Sequence, residues 1–320
     1  MASARWFAVS PGSKSGHRDT KVSRSPKGSR LTTLTRRQFL ENAGGVCASA
    51  AFIGADAWAA AALAWPKPIG LEILTVRTAY TKDPADTLKK VGAVGYREVE
   101  IPTDIPAATL LGYLRAGHLT ALSTYADVPK DADAWKRTLD HVYPYGFRFI
   151  VVGDNASMKA DAWKRRAELF SQCGTLAKQA GLQFCYHAHF QEFAPLGDTS
   201  GYDIMLVHGD TGLLKFEMDV FWATYAGQDP VAYYQKCPGR FPLFHVKDFK
   251  AGFPTSTAAF PYKNGPNPFA PVGQGRIDWR RIFTHAKQAG VEHIFVEQDR
   301  CDGDPFDAIK TSFDYLKDLR

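Results

Sequence analysis

The feature that most constrains this chain is a regular alternation of short apolar runs with longer amphipathic stretches, beginning at Pro66 and continuing to the C-terminus. Eight such pairs follow one another. Strands and helices that alternate at this spacing are typical of a parallel sheet with crossover helices. Eight units in roughly 255 residues match a closed barrel better than an open, doubly wound sheet. We therefore predict an α/β fold over residues 65–320, a parallel eight-stranded (β/α)8 barrel.

The apolar runs and the residues that flank them place the individual elements. The strands are predicted at Ile69–Val76, Glu98–Ile101, Thr120–Thr124, Phe147–Val152, Leu182–His187, Leu214–Val220, Phe241–Val246 and His293–Glu297. The helices are predicted after Asp83-Pro84, near Ala107–Gly117, Ala132–Tyr143, Ala160–Ala180, Tyr202–His208, Val231–Lys236 and Trp279–Ala289, and at the chain end. The Gly- and Pro-rich segment Phe249–Gly275 is long for a connection, which indicates a lid or a subunit contact in a homo-oligomer.

Residues 1–64 have the composition of an export signal. The twin-arginine pattern Thr35-Arg36-Arg37-Gln38-Phe39-Leu40 precedes an Ala-rich stretch, and small residues near Ala57-Trp58-Ala59 suit cleavage. This predicts contact with the twin-arginine translocation machinery, a periplasmic or other extracytoplasmic location, and no stable membrane insertion after cleavage. An uncleaved anchor is the alternative, although Asp56 interrupts an apolar run only marginally long enough to span a bilayer.

The formal net charge of +6 belongs to this leader. Residues 1–64 contain nine Lys or Arg and three acids, so the rest of the chain has 30 basic and 30 acidic residues. A neutral body lacks the positive field on which binding to a phosphate backbone depends. The sequence therefore predicts no nucleic-acid partner, and it disfavours an apurinic endonuclease activity.

Ionisable side chains end several of the predicted apolar strands. His187 and His189 follow the fifth strand, Asp219 the sixth, and His245, Lys247 and Asp248 the seventh; Glu297 and Asp299 follow the eighth, and the second contributes Glu98 and Glu100. Such groups are costly to bury unless they are paired or bind a metal, and in a barrel of this kind strand C-termini face one shared mouth. A mixed set of His, Asp and Glu ligands suits Mn²⁺, Co²⁺, Zn²⁺ or Mg²⁺.

The chain resembles a known family in several motifs that occur in the same order and on the same strands. They are Tyr186-His187-Ala188-His189, Glu217-Met218-Asp219-Val220-Phe221-Trp222, His245-Val246-Lys247-Asp248, Val272-Gly273-Gln274-Gly275-Arg276-Ile277-Asp278-Trp279 and Val296-Glu297-Gln298-Asp299. They are similar to those of the sugar phosphate isomerase/epimerase family, the xylose isomerase-like TIM barrels. The resemblance covers about residues 69–318 and implies one divalent metal ion held by His187, Asp219, His245 and Glu297.

One position departs from the pattern of the ketose epimerases of that family, which place a glutamate on the fifth strand where this chain has His187. Two opposed carboxylates serve both faces of one carbon in an epimerase. This chain has only Glu297 in place of those two carboxylates. A reaction that needs a single base, such as dehydration or β-elimination, is therefore an alternative to epimerisation. Glu100 as a second carboxylate, or His189 or Lys247 as an acid, are the further catalytic candidates.

Each candidate also has a structural interpretation. Asp219 could cap the turn after its strand, and Glu297 could form a buried ion pair with Lys247. Glu100 could pair with an Arg or Lys, and His189 could only orient a ligand. Phe221 and Trp222 could form an apolar wall against a sugar or pack in the core.

Several functions follow from these residues. The first is a metal-dependent isomerase or epimerase that abstracts a proton next to the metal-bound carbonyl of an unphosphorylated sugar or polyol. The second is a metal-dependent lyase or dehydratase of a keto-sugar, keto-glycoside or inosose-like substrate. A non-catalytic carbohydrate-binding barrel is the third. In each case the expected partner is a small carbohydrate.

Overall fold

The computed structural model describes residues 67–154 and 156–319. Their central feature is a closed barrel of eight strands in the order β1-β8-β7-β6-β5-β4-β3-β2, with all neighbouring strands parallel. The barrel strands are β1 (Gly70–Glu72), β2 (Glu98–Glu100), β3 (Thr120–Ala126), β4 (Phe149–Gly153), β5 (Gln183–His187), β6 (Lys215–Asp219), β7 (Leu243–Val246) and β8 (His293–Val296). The predicted fold class is confirmed. The predicted leader, residues 1–64, lies outside the described residues.

Helices surround the barrel and cross from each strand to the next. They are α1 (Arg77–Lys82), α2 (Pro84–Val94), α3 (Ala107–Ala116), α4 (Ala132–Val142), α5 (Ala160–Gln179), α6 (Gly201–His208), α7 (Val220–Tyr225), α8 (Pro230–Lys236), α9 (Trp279–Thr284), α10 (Ala286–Ala289) and α11 (Pro305–Asp318). Aspartates cap several of them; Asp83, for example, accepts from the Asp86 amide ahead of α2, which begins with a proline. Within the described part of the chain, no helix has the length and apolarity needed to cross a membrane.

Most predicted elements agree with the structure to within two residues at each end, and two differ in a more substantial way. The strand predicted at Ile69–Val76 ends at Glu72, because Ile73–Val76 form a 3₁₀ turn that leads into α1. Most of the side chains of this turn are buried, so its sequence is largely apolar although it does not continue the strand. The helix predicted at Trp279–Ala289 is divided at His285 into α9 and α10.

The inside of the barrel has an apolar floor, formed by a cluster of buried side chains from five strands. Its members are Leu122, Phe149, Val151, Cys185, Leu243 and Phe295. Gly70 gives this cluster room, because a Cβ atom there would lie 2.6 Å from the Phe295 ring. The large aromatic residues pack mostly outside the barrel, between strands and helices; Trp135 and Phe184, for instance, are in edge contact at 5.5 Å. The floor closes the barrel from below, so that polar residues above it face only the mouth.

The segment predicted as a lid or subunit contact is anchored at both ends. Asp248–Phe249 pairs antiparallel with Phe269–Ala270, and this short sheet closes the base of the segment. Near its tip, the Tyr225 hydroxyl of α7 donates to the Ala259 carbonyl oxygen at 2.5 Å. The segment therefore lies across the mouth of the barrel.

Candidate metal centre and substrate cavity

The polar site is built by the two-residue period of the barrel strands, which directs alternate side chains inward. Four strands each contribute two such side chains. The first lies deeper in the barrel, near the apolar floor, and the second, two residues later at the end of the strand, lies nearer the mouth. The pairs are Cys185 and His187, Glu217 and Asp219, His245 and Lys247, and Phe295 and Glu297. The site thus has a deep layer and an upper layer.

His245 lies at the centre and connects both layers. Its Nδ1 atom is 2.8 Å from Glu297 Oε2 and 4.0 Å from Asp219 Oδ2. Its Nε2 atom is 2.8 Å from Glu100 Oε1 and 3.3 Å from Glu217 Oε2. One nitrogen of this buried ring thus faces the deep carboxylates, and the other faces the upper ones.

His187 is oriented in the same manner. Its Nδ1 atom lies 2.8 Å from Glu217 Oε2 and 2.8 Å from the Tyr125 hydroxyl. That hydroxyl also donates to Glu217 at 2.9 Å. The Nε2 atom of His187 faces Asp219 Oδ2 at 3.8 Å. Carboxylates behind both histidines therefore turn the opposite ring nitrogens toward Asp219.

Lys247 brings a positive charge into the upper layer. Its Nζ atom lies 3.1 Å from Asp219 Oδ2, 2.6 Å from Glu297 Oε2 and 2.8 Å from Asp299 Oδ2. One ammonium among three carboxylates leaves an excess of negative charge, which favours a further cation. The ion pair between Lys247 and Glu297, considered from the sequence as a structural role, is present.

The four residues predicted as metal ligands converge in this upper layer. Donor atoms of Asp219, His245 and Glu297 lie within 4.8 Å of one another, and His187 stands next to Asp219. Asp219 does cap α7 through Oδ1, which accepts from the Trp222 amide at 2.9 Å, whereas its buried Oδ2 faces Lys247 Nζ at 3.1 Å and the two histidines. Two imidazole nitrogens and two carboxylates fit one divalent ion. That these residues bind an ion stays a prediction.

The pKa values of the upper carboxylates differ although both are buried. Burial raises the pKa of Asp219 to about 6, against the lowering effect of Lys247. Burial acts in the same direction on Glu297, but there the charges of Lys247 and His245 outweigh it and hold the pKa well below its usual range. Glu297 is therefore ionised at neutral pH.

The histidines also differ. Burial, with a contribution from His245, lowers the pKa of His187, and burial with the charge of Lys247 lowers the pKa of His189 to about 3. For His245 the opposing effect of burial is overcome by Glu217, Glu100 and Glu297, which raise its pKa. His187 and His189 are thus neutral, whereas His245 would have to release its Nδ1 proton when an ion binds.

Two deep carboxylates in the site were not predicted. Glu217 stands two residues before Asp219 in the same motif, from which only Asp219 was predicted as a site residue. Glu72 ends β1, and burial together with the charge of Glu100 raises its pKa. Because the first strand was predicted to continue to Val76, Glu72 was not recognised as a strand end. Glu217 could have been predicted, because a residue two positions before Asp219 faces the same side of the strand. Tyr125 was also missed, because a tyrosine in an apolar strand resembles a core residue.

Glu100 faces the inside of the barrel, but it lies in the deep layer below the mouth, where its partners are His245 and Ser123, whose hydroxyl donates to Glu100 Oε2. Glu98, which was placed at the mouth from the sequence, lies at the opposite end. It begins β2, and its Oε2 atom accepts a hydrogen bond from His293 Nδ1 at 2.9 Å, at the start of β8. The two-residue offset between Glu98 and Glu100 spans the apolar floor, so only Glu100 reaches the site.

Glu192 supports the turn that carries His189. Its Oε2 atom accepts from the His189 amide at 3.1 Å, and its Oε1 atom accepts from the Tyr186 hydroxyl at 2.7 Å. Burial raises the pKa of Glu192 to about 8. A neutral carboxyl therefore holds this turn at pH 7.

Asp248 does not enter the site, although it follows β7. Its carboxylate accepts from the amides of Gly273 and Gly275 and from the indole of Trp279, at 2.9, 3.0 and 3.0 Å. The turn Val272–Gly275 is thus held by Asp248 and does not cradle a phosphate, in agreement with its interpretation as a positioning element.

The cavity above the upper layer has a volume of about 670 Å³. One side is polar, and the other is an aromatic wall. The polar lining includes Glu72, Arg77, His187, His189, Gln191, Lys247, Glu297, Asp299 and Arg300, and the aromatic lining Tyr125, Phe190, Trp222, Phe260, Tyr262 and Phe269. Three of the four predicted catalytic residues, His189, Lys247 and Glu297, line this cavity, whereas Glu100 lies in the deep layer and contacts His245.

Comparison with known proteins supports the same fold. Residues 88–319 match the family model of the xylose isomerase-like TIM barrel. The inosose dehydratase of Lacticaseibacillus casei is 23% identical over 265 residues, which cover 69% of this chain and 85% of that protein. The inosose dehydratase of Clostridium beijerinckii is 25% identical over 165 residues, 49% of this chain, and the match spans only 55% of the relative.

Solved structures agree with this assignment. A sugar phosphate isomerase/epimerase from Parabacteroides distasonis superimposes with a TM-score of 0.67 at 24% identity, covering 78% of this chain and 97% of that one. An IOLI protein with a bound zinc atom gives 0.62 at 15% identity, covering 79% and 98%. A Mycobacterium smegmatis barrel in complex with magnesium gives 0.58 at 13%, covering 79% and 96%. These likenesses show the shared fold, and with the family model they confirm the resemblance noted in the sequence. The chain belongs to the family of xylose isomerase-like TIM barrels.

Proposed function

We propose that this protein is a metal-dependent enzyme that removes a proton next to the carbonyl of an unphosphorylated carbohydrate and then eliminates water or an alcohol. The observation that carries the proposal is the contact of Lys247 Nζ with Glu297 Oε2 at 2.6 Å. It places a proton donor beside an ionised carboxylate in one cavity. Elimination needs both groups near neighbouring atoms of one substrate.

His187, Asp219, His245 and Glu297 would hold the divalent ion. When bound, the ion supplies a Lewis acid that polarises the substrate carbonyl and makes the adjacent C–H bond more acidic. Glu100 and Glu217 accept from the distal nitrogens of His245 and His187 and thereby fix the orientation of both rings. All of these side chains are buried, which keeps the arrangement rigid.

The proton steps use Glu297 and Lys247. As the carboxylate of Glu297 takes the proton, the electron pair of the C–H bond moves into the adjacent carbonyl group. This pair then forms the carbon–carbon double bond as the bond from the neighbouring carbon to its oxygen breaks, and the ammonium of Lys247 donates a proton to the leaving oxygen. Its surrounding carboxylates raise the pKa of Lys247. An ion bound to Asp219 and Glu297 would offset two of these charges and make Lys247 a better donor.

An unphosphorylated substrate is supported by the arginines that line the cavity. Arg77 donates to the carbonyl oxygens of Leu74 and Asp299 at 2.9 and 2.7 Å. Arg300 donates to those of Tyr262 and Gly265 at 3.0 and 2.8 Å. Both guanidinium groups thus bind the protein backbone. The relatives named inosose dehydratases are consistent with elimination from a cyclic keto-polyol, and the expected export also favours a substrate without phosphate.

Isomerisation or epimerisation is the second candidate. It is favoured by the position of His189, whose neutral imidazole lines the same cavity as Glu297. A second base beside Glu297 is what a reaction that returns the proton to carbon requires.

The two reactions are distinguished by the mass of the product. Purified protein loaded with Mn²⁺, Co²⁺, Zn²⁺ or Mg²⁺ would be incubated in D₂O with keto-sugars, keto-glycosides and inososes, and the products analysed by mass spectrometry and NMR. Elimination predicts loss of water or alcohol, while epimerisation conserves the carbon skeleton and introduces deuterium. Glu297→Gln should be inactive, and Glu98→Gln, at the opposite end of the barrel, should remain active. Full turnover by Glu297→Gln would contradict the proposal.

A further inference from the structure

The cavity has a second region that the proposed proton transfers do not use. Its volume of about 670 Å³ lies in the range that holds drug-sized ligands, which is larger than one sugar ring. The reactive groups Lys247 and Glu297 occupy only its polar side. The remainder is bounded by Trp222 of α7 and by residues of the Phe249–Gly275 segment.

The aromatic wall continues from α7 into that segment. The rings of Trp222 and Phe260 meet at 5.0 Å, and those of Phe260 and Tyr262 at 5.3 Å. Phe269 lies 5.9 Å from Phe260. Such faces bind flat or weakly polar rings, including the C–H faces of sugars.

Trp222 is the border between the two regions. Lys247 Nζ lies 5.3 Å from the centre of its ring, so the same side chain contacts the reactive ammonium and the aromatic wall. If one ring of a ligand contacts Lys247, the substituent attached to that ring therefore lies next to Trp222. The two regions are close enough for one molecule to occupy both.

Several polar atoms of residues that line the cavity have no hydrogen-bond partner among the described residues, and two of them are the Nε1 donor of Trp222 and the Oε1 acceptor of Gln191. Trp222 is only 6% exposed. A buried donor without a partner is costly unless a ligand satisfies it. A hydroxyl group can accept from an indole N–H and can also donate to an amide oxygen.

We infer that the substrate is a two-ring molecule, a sugar that carries a hydroxylated second ring, and that this ring occupies the region lined by Trp222, Gln191 and Phe260. The inference rests on the proposed function, because that function places the reacting sugar at Lys247 and Glu297. The second ring is a phenol or another sugar. Trp222 Nε1 and Gln191 Oε1 bind its hydroxyl groups, and Phe260 packs against its face.

Binding of non-reacting probes tests this inference without turnover. Methyl β-glucoside, phenyl β-glucoside, p-hydroxyphenyl β-glucoside and cellobiose would be titrated into metal-loaded protein and followed by saturation-transfer NMR and calorimetry. We expect p-hydroxyphenyl β-glucoside or cellobiose to bind about tenfold more tightly than methyl β-glucoside, the size of an aromatic contact. Whichever of the two binds more tightly identifies the second ring as a phenol or a sugar.

Variants separate the contributions. Phe260→Ala should reduce the affinity for the two-ring probes toward that for methyl β-glucoside. Trp222→Phe keeps an aromatic ring but should remove the advantage of p-hydroxyphenyl over phenyl β-glucoside. Tyr143→Ala, at an exposed aromatic residue outside the cavity, is the matched control and should change neither.

Equal affinity of wild-type protein for methyl, phenyl and two-sugar probes would overturn the inference and leave the proposed function intact. Lack of binding by all four probes would likewise overturn the inference, because the region would then recognise neither a phenol nor a sugar ring; the proposed function is tested separately by the turnover of Glu297→Gln. If Phe260→Ala still bound the two-ring probes more tightly than methyl β-glucoside, by the same factor as wild type, the second ring would not occupy the region lined by Phe260.

Discussion

His245 Nε2 lies 2.8 Å from Glu100 Oε1, deep in the barrel, while the Nδ1 atom of the same ring faces the upper carboxylates. A carboxylate behind a histidine fixes its tautomer and increases its basicity as a ligand. Glu100 is therefore a positioning residue for the candidate metal centre.

Glu100→Gln should weaken metal binding by about 10–100-fold, because the amide no longer provides a negative charge behind His245. The measurement is competition for Zn²⁺ or Co²⁺ with a chromophoric chelator. Glu98→Gln is the matched control, since Glu98 pairs with His293 at the other end of the barrel. Equal affinity in wild type and Glu100→Gln would show that this contact does not tune the metal site.

Lys247→Met should separate metal binding from proton donation. It removes a cation from Asp219, Glu297 and Asp299, so divalent ions should bind at least as tightly as in wild type. Turnover should fall by about 10²–10⁴-fold, the usual contribution of a general acid. Metal affinity and kcat would be measured on the same preparation. Unchanged kcat would refute the role of Lys247 as proton donor.

Glu192 should make the protein less stable as the pH rises. Its pKa is about 8 in the folded chain against an ordinary value of 4.5, so the folded state retains a proton that the unfolded state has lost between these values. The stability that this group contributes is complete below pH 4.5 and is lost progressively up to about pH 8, by about 1.4 kcal/mol per pH unit at most.

Glu192→Gln keeps a neutral side chain of similar shape and should flatten this slope. Urea unfolding of wild type and variant between pH 5 and 8 would measure it, and the difference between the two curves isolates Glu192 from other titrating groups. Parallel curves would mean that Glu192 is ionised in the folded protein.

Asp248→Asn should loosen the segment Phe249–Gly275, because Asp248 accepts hydrogen bonds from its C-terminal turn and from Trp279. We expect a loss of about 1–3 kcal/mol in the free energy of unfolding and faster proteolysis within the segment. Asp302→Asn, which alters an exposed carboxylate that contacts Lys250 of the same segment, serves as the control. Similar proteolysis of both variants would argue against a special role for Asp248.

The fold could be predicted because each strand of the barrel is a short apolar run followed by a helix, and β5, β6 and β7 end within a residue of their predicted ends. The first strand could not, because Ile73–Val76 are apolar for a different reason. They form a buried 3₁₀ turn, and apolar character alone does not distinguish a strand from such a turn.

The convergence of His187, Asp219, His245 and Glu297 followed from the rule that strand C-termini share one mouth. Glu72 was missed because the first strand was predicted to continue to Val76, which hid the strand end at Glu72. Glu217 was missed because the rule identifies the last residue of a strand and not a second inward residue two positions earlier. Only the part of the aromatic wall that comes from α7 was predicted. Trp222 stood in a motif, but Phe260 comes from a segment without regular structure, whose contact with Trp222 depends on tertiary packing.

The most direct test of the central claim is the metal content of purified protein, by elemental analysis of wild type beside Asp219→Ala and His245→Ala, with Glu98→Gln as control. We predict about one divalent ion per chain in wild type and control, and loss of the ion in both site variants. Wild-type protein that takes up no metal when supplied with Mn²⁺, Co²⁺, Zn²⁺ and Mg²⁺, or site variants that retain a full equivalent, would contradict the account.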